Sequence, residues 1–218
     1  MTTRGPVTTG DTTTNRGGDI TVRSATGSDL PAIASVLGRA FHRDDPVGEY
    51  LFPDESVRDR RQPKMILTMA RRRHLPQGTA TVATVDGRIE GVLLWHGPDH
   101  TRTPWHSLIG GPELMRDMGT RVAAGIRVDA ALARTVPGVP HILAVYLGAS
   151  PENHRRGVGT ALFQDLVDRA DTLGVPVCGL CKDSNVPFYE RFDGHLIGTT
   201  TLGRRGPRVN VMLRVPRR

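Results

Sequence analysis

Apolar and polar residues alternate at Ile20-Thr21-Val22-Arg23, the period of a strand with one buried face. Helical spacing follows at once. Leu30, Ile33, Ala34, Leu37 and Phe41 share one stripe. Ser28 and Asp29 offer N-cap oxygens ahead of it, and Pro31 sits early, where its missing N–H costs little. The run 42–53, with Asp44, Asp45, Pro46, Gly48 and Pro53, predicts a loop. Arg58 to Arg73 predicts a second helix with Met65, Ile66 and Met69 inward. Thr79–Val85 and Ile89–Trp95 predict two strands joined by Asp86-Gly87, a pair suited to the positive φ of a type I′ turn. Residues 104–135 predict one or two helices, broken near Gly110-Gly111-Pro112 and Gly119. His141–Leu147 predicts a buried strand, Gly157–Leu173 an amphipathic helix stopped by Gly174, and Val175–Leu180 a further strand. A short helix through Phe188, Tyr189 and Phe192 precedes two strands, His195–Leu202 and Val209–Val215. The order β-α-α-β-β-α-β-α-β-α-β-β implies an α/β fold with a mixed central sheet covered on both faces.

Composition narrows this little. The 218 residues suffice for one domain with a full core, and no apolar run is long enough to cross a bilayer. Residues 1 to about 18 are rich in Thr, Gly and Arg, which predicts a disordered tail (1–18) ahead of a single domain (19–218). Deleting residues 1–17 is therefore expected to leave melting temperature and activity unchanged; a clear loss of either would show that the tail docks on the domain. No apolar h-region stands near the N-terminus, and the two cysteines are too few for a disulfide scaffold. Both features predict a protein of the reducing cytoplasm.

The net charge of +7 changes the picture only slightly. Basic residues concentrate at Arg71-Arg72-Arg73 and in the C-terminal segment, with Arg204, Arg205, Arg208, Arg214, Arg217 and Arg218. No zinc finger, helix-turn-helix or aromatic RNA-binding motif accompanies them, so neither nucleic acid nor membrane is expected as a partner. A basic surface would also attract an anionic nucleotide. Cys178 and Cys181 predict ordinary core residues, because positions three apart on a strand face opposite sides. His96, His100 and His106 predict loop histidines, one of them a candidate to line an acceptor pocket, and no acidic partner gives them metal-site spacing.

The informative segment is Ser150-Pro151-Glu152-Asn153-His154-Arg155-Arg156-Gly157-Val158-Gly159-Thr160, between a buried strand and an amphipathic helix. Helix N-termini present unpaired N–H groups and the positive end of a dipole, which suits phosphate. Gly157 and Gly159 let backbone approach an anion closely, and Arg155 and Arg156 add charge. The segment lacks the G-K-[ST] ending of a P-loop and the third glycine of a dinucleotide fingerprint.

This segment resembles motif A of the GNAT superfamily of N-acetyltransferases, [QR]-x-x-G-x-[GA], with His154 at the Gln/Arg position. Downstream, Asn185-Val186-Pro187-Phe188-Tyr189-Glu190-Arg191-Phe192 resembles a second signature of that family, one helix and one strand away. The ending Gly206–Arg214 and the opening Thr21–Thr26 with Asp29-Leu30-Pro31 resemble its puromycin N-acetyltransferase subgroup. The resemblance implies a GNAT-like sheet of about seven strands with splayed central parallel strands, His141–Leu147 and Val175–Leu180. It implies acetyl-coenzyme A as co-substrate, its pantetheine met by backbone at Leu147, Gly148 and Ala149. The diphosphate would meet His154, Arg155, Arg156, Gly157, Val158, Gly159 and Thr160, and Asn185 of the second motif completes the cofactor-binding set. No metal is implied. Tyr189 becomes the catalytic candidate, a phenol able to stabilise a departing thiolate.

The implied reaction is direct acetyl transfer to a primary amine of a small molecule, an aminonucleoside antibiotic or an amino-acid-like metabolite, by a monomer or homodimer. A protein lysine or N-terminus as acceptor, and a non-catalytic acyl-coenzyme A sensor, remain open. Gly179 stands where many puromycin-acetylating relatives carry a Glu, so the resemblance names no proton acceptor. Asp44, Asp45 and Glu49 lie in the predicted loop between the first helices, which the resemblance implies as a wall of the acceptor site, and each by itself reads as a solvated residue.

Overall fold

A computed structural model of the chain describes residues 20–42, 45–99, 111–135, 138–153, 156–203 and 206–217. The tail 1–18 therefore lies outside the described residues, as do Asp44, His100, His106, His154, Arg155, Arg204, Arg205 and Arg218. Seven strands form one mixed sheet: β1 Ile20–Ser24, β2 Ala80–Val85, β3 Arg88–His96, β4 Ile142–Ala149, β5 Val177–Cys181, β6 Gly194–Thr201 and β7 Arg208–Arg214. Their order across the sheet is β1-β2-β3-β4-β5-β7-β6. Only β4 and β5 run parallel.

Strand alternation splits the core in two. On β3, Val92 and Leu94 face α1 (Leu30–Ala40) and α3 (Glu55–Met69). Leu93 and Trp95 face α6 (Val158–Leu173), which buries Leu162, Phe163 and Leu166 on the opposite side. Each face is thus sealed by its own helices, as an α/β sheet requires. Close seating fixes two glycines. A Cβ at Gly91 would run into Val158 and Leu162 of α6, and one at Gly148 would lie 2.9 Å from Ala40 Cβ and Leu37 Cδ2 of α1.

The turn signals hold. Asp86 and Gly87 have φ of 50° and 76°, the left-handed pair expected of the hairpin, and Gly174 ends α6 at φ 66°. The predicted loop 42–53 is a correction. It contains α2 (Pro46–Leu51), because Asp45 caps it through a hydrogen bond from the Val47 N–H and Pro46 opens it. The second helix begins at Glu55, earlier than Arg58, and its last turn at Ala70–His74 widens to π-type. The segment after β3 carries α4 (Gly111–Met118) and α5 (Val122–Thr135). His96 is not a loop residue: it ends β3, buried, with its ring 4.8 Å from that of His74.

The arginine concentrations meet carboxylates. Arg71 and Arg72 both pair with Glu113 of α4, Arg214 with Asp171, and Arg217 with Asp193. Near the start of the domain Arg23 grips Asp29 with two hydrogen bonds, 2.7 and 2.9 Å. That guanidinium, with Thr26, holds the Asp29 carboxyl at about 2. A depressed carboxylate stabilises the fold above its unfolded value near 3.8 and loses that contribution as pH falls toward 2. Asp29→Asn is therefore expected to lower the melting temperature at pH 7 and to flatten its fall between roughly pH 4 and 2. An equally steep acid limb in both proteins would exclude the pair.

Candidate active site

The parallel pair β4–β5 is short. It runs only from Ile142↔Val177 to Ala144↔Gly179, after which β4 continues to Ala149 without a partner on that side. The other edge of β4 stays paired to β3 as far as Ala149. The strands therefore splay, and the backbone of Val145–Ala149 borders a cavity of about 790 Å³. Leu147, Gly148 and Ala149 all line it.

The N-terminus of α6 opens into the same cavity. Gly157 holds φ 88°, a conformation strained for any residue with a Cβ, and no side chain caps the helix. The first intrahelical bond is Ala161 N–H to Gly157 O, so the Val158, Gly159 and Thr160 amides lie ahead of the helical ladder. Gly157, Val158, Gly159 and Thr160 all line the cavity. A Cβ at Gly159 would meet nothing closer than Phe188 Cε2 at 4.0 Å, and Gly159 has no positive φ. The fold itself therefore does not demand glycine at 159, whereas a ligand lying on these amides would. Arg156 is exposed beside the turn.

Tyr189 lies in α7 (Val186–Glu190), opened by Pro187 and preceded by Asn185 at the N-cap. Its ring makes edge contacts with Phe163 and Phe188, each at 5.1 Å, and it lines the cavity with Asn185. Burial pushes its phenol well above the ordinary value, and nearby Cys181 adds to the shift. The hydroxyl is thus a neutral donor at pH 7. Cys178 and Cys181 are buried free thiols, but Cys181 also lines the cavity, a placement beyond its expected core role. Burial raises its thiol to about 11, keeping it unreactive. Gly179 pairs with Ala144 where the strands begin to part.

The far wall of the cavity was legible only at the segment of Asp45. Asp45, read as solvated, is buried: its carboxylate accepts from Gln62 Nε2 at 2.7 Å and from the Val47 N–H at 3.1 Å. Desolvation raises its pKa against those hydrogen bonds. Glu49 is exposed, as expected of it. The π-type turn carries Arg73 into the cavity wall, where it is buried and faces Asp129 of α5 and Tyr146 of β4. Burial and the two carboxylates, Asp45 and Asp129, push the Tyr146 phenol upward. Met65, Met69, Leu114, Met115, Met118 and Ile126 supply apolar surface around these groups. Among the described residues no cluster of three His, Cys, Asp or Glu side chains could hold a metal ion. No described helix is long and apolar enough to cross a membrane.

Solved structures of similar fold are found over most of the chain. An acetyltransferase from Corynebacterium glutamicum, named as histone acetyltransferase HPA2 and related acetyltransferase, superposes with TM-score 0.68 at 24% identity, covering 90% of this chain and 96% of its own. The fold is that of the GNAT acetyltransferases. A polyamine N-acetyltransferase of Drosophila melanogaster aligns at TM-score 0.56 and 19% identity, over 90% of this chain and all of its own (100%). A GNAT superfamily phosphinothricin acetyltransferase from Sinorhizobium meliloti, solved in complex with AcCoA, aligns at TM-score 0.53 and 17% identity, over 90% of this chain and 88% of its own. No family model matches the chain.

Proposed function

We propose that the protein is an N-acetyltransferase that moves an acetyl group from acetyl-coenzyme A directly to the primary amine of a small molecule. One observation carries the reading: a single cavity is lined by the splayed edge of β4, the start of α6 and Tyr189. Gly157–Thr160 offer a diphosphate four backbone positions at the positive end of a helix of 16 residues. His154 and Arg155, outside the described residues, are assigned with Arg156 to the same anion by their place in the motif. The unpaired edge at Leu147, Gly148 and Ala149 gives an extended pantetheine a strand to pair with. Asn185 lines the same cavity. The solved relative that holds AcCoA shares this fold.

The chain's own groups supply the rest. When bound, acetyl-coenzyme A supplies an activated acyl carbon and a thiolate leaving group. Attack by a neutral amine builds negative charge on sulfur, and Tyr189 offers that sulfur a hydrogen bond from a phenol that stays protonated. The apolar cavity wall excludes water that would otherwise compete with the amine. The resemblance to the puromycin-acetylating subgroup suggests aminonucleoside or amino-acid-like acceptors, and a cavity of about 790 Å³ is in the range of small-molecule sites.

Calorimetry with acetyl-coenzyme A, followed by thiol release across a panel of primary amines, tests the reading. Saturable binding with amine-dependent release supports it. Binding without release on any amine would favour an acyl-coenzyme A sensor, and release only with peptides would favour a protein acetyltransferase.

A further inference from the structure

A second tyrosine of the cavity, Tyr146, has no part in the chemistry above. β4 carries a bulge at Val145: Tyr146 pairs with Leu94 of β3 and Ala144 with Trp95, so Val145 has no partner there. The extra residue puts two consecutive side chains, Val145 and Tyr146, on the α1 and α3 side of the sheet, while Ala144 and Leu147 pack on the α6 side. Tyr146 thus stands on the opposite face from Tyr189, yet both line one cavity. Its ring lies edge-on to Phe41, 5.3 Å between centroids, and only 8% of the residue is exposed. The charged groups that act on its phenol, Asp45, Asp129 and Arg73, line the cavity as well, which places the hydroxyl on the cavity side. Among the described residues none forms a hydrogen bond with that hydroxyl. A buried donor left unpaired is costly, and it is a rarer defect than an unused lone pair. The amine of an acceptor does not satisfy it. It arrives as an ammonium, which only donates, and its lone pair, once freed, is directed at the acyl carbon.

Resting on the acetyltransferase reading above, we propose that Tyr146 selects the acceptor: its hydroxyl donates a hydrogen bond to a carbonyl or hydroxyl oxygen close to the reacting amine. The oxygen is close because Tyr146 directly precedes Leu147, where the strand edge proposed for the pantetheine begins. Burial and the two carboxylates hold the phenol protonated at neutral pH, so the donor is always present. A plain alkylamine leaves that donor unpaired. A site built to hydrogen-bond a substrate oxygen rejects the analogue that lacks it. The acceptor class is therefore an amino alcohol or an amino amide rather than a hydrocarbon amine. The two phenols divide the work, Tyr189 acting on the leaving sulfur and Tyr146 on the choice of amine.

The test is a double-mutant cycle between the protein hydroxyl and the ligand oxygen. Phenylalaninamide is compared with 2-phenylethylamine, which keeps the benzyl group and the amine and lacks the carboxamide. Affinities are measured by calorimetry on the wild type and Tyr146→Phe, with and without coenzyme A, and acetyl-coenzyme A is titrated separately. The wild type is expected to favour phenylalaninamide by at least about 10-fold. Tyr146→Phe should cut that preference at least about fivefold by weakening the amide alone, with 2-phenylethylamine and acetyl-coenzyme A affinities held within about twofold. Its melting temperature should hold or rise, since phenylalanine keeps the contact with Phe41 and removes a buried group that the fold leaves unpaired. A tyrosine of merely structural role would show the reverse, a lower melting temperature with the preference intact. No preference in the wild type, a preference that survives in the variant, a fall in melting temperature, or no binding of phenylalaninamide would each overturn the inference. Failure of acetyl-coenzyme A itself to bind would instead sink the acetyltransferase reading, and the preference is still read on the protein without coenzyme A, so the two failures are distinguishable.

Discussion

Tyr189→Phe is expected to lower the turnover of acetyl transfer by about 10²–10⁴-fold while leaving acetyl-coenzyme A affinity within roughly twofold. A thioester sulfur is a weak acceptor, so the phenol contributes little in the ground state. Charge builds on that sulfur as the amine attacks, and the same hydroxyl then stabilises it. Burial has already raised the phenol far above the ordinary value of a thiol, so full proton transfer to sulfur is uphill and the group acts as a hydrogen-bond donor. The pH profile carries a second expectation. An unshifted phenol would ionise near 10, but this one should impose no loss of activity up to about that pH. Phenylalanine keeps the edge contacts with Phe163 and Phe188, so melting temperature should hardly move. Steady-state rates and acetyl-coenzyme A titrations on both proteins decide the matter. Equal rates would return Tyr189 to the core, and a parallel fall in affinity would make it a binding residue.

The part of the cavity proposed for the cofactor was legible because its signals are local. Gly157-Val158-Gly159 marks a helix start by backbone geometry, and the Asn185–Phe192 signature places Tyr189 one strand and one helix later. The Asp86-Gly87 turn and Gly174 stop are equally local, since each needs a φ that few residues adopt. The opposite wall is not local. Arg73, Asp129 and Tyr146 stand on a π-type turn, a helix and a strand, and meet only when α3 and α5 close over β4. No spacing rule joins them. Asp45-Pro46 did carry a signal, an N-cap followed by Pro at the first helical position, but Gly48 and Pro53 nearby gave the run the composition of a loop. Its burial follows from Gln62 on α3, which no periodicity in 42–53 could reveal. His96 was misplaced for a similar reason: Trp95-His96-Gly97 reads as a strand giving way to a loop, yet β3 extends to His96.

Gly157→Glu is expected to weaken acetyl-coenzyme A at least 100-fold without unfolding the protein. The carboxylate would stand at the mouth of α6, at the amides proposed for the diphosphate. Two unit charges about 4 Å apart repel by roughly 4 kcal/mol at an effective dielectric of 20, and about 1.4 kcal/mol corresponds to a tenfold loss. Stability changes less, because two contributions oppose. A Cβ at φ 88° is strained by about 1–2 kcal/mol, while a negative charge at a helix N-terminus returns roughly 0.3–1 kcal/mol. The added Cβ itself finds room, its nearest neighbour being Ile20 Cδ1 at 3.8 Å. Gly159→Ala separates this explanation from general damage. Residue 159 has no positive φ and lies within the first turn of α6, so alanine should hold or raise the melting temperature, as it does at most helical positions. If the diphosphate rests on these amides, the same methyl group obstructs it and affinity falls. A protein made more stable and yet poorer at binding acetyl-coenzyme A is the expected signature. Undiminished affinity in both folded variants would place the diphosphate elsewhere, and equal losses of stability and affinity would reduce both glycines to turn formers.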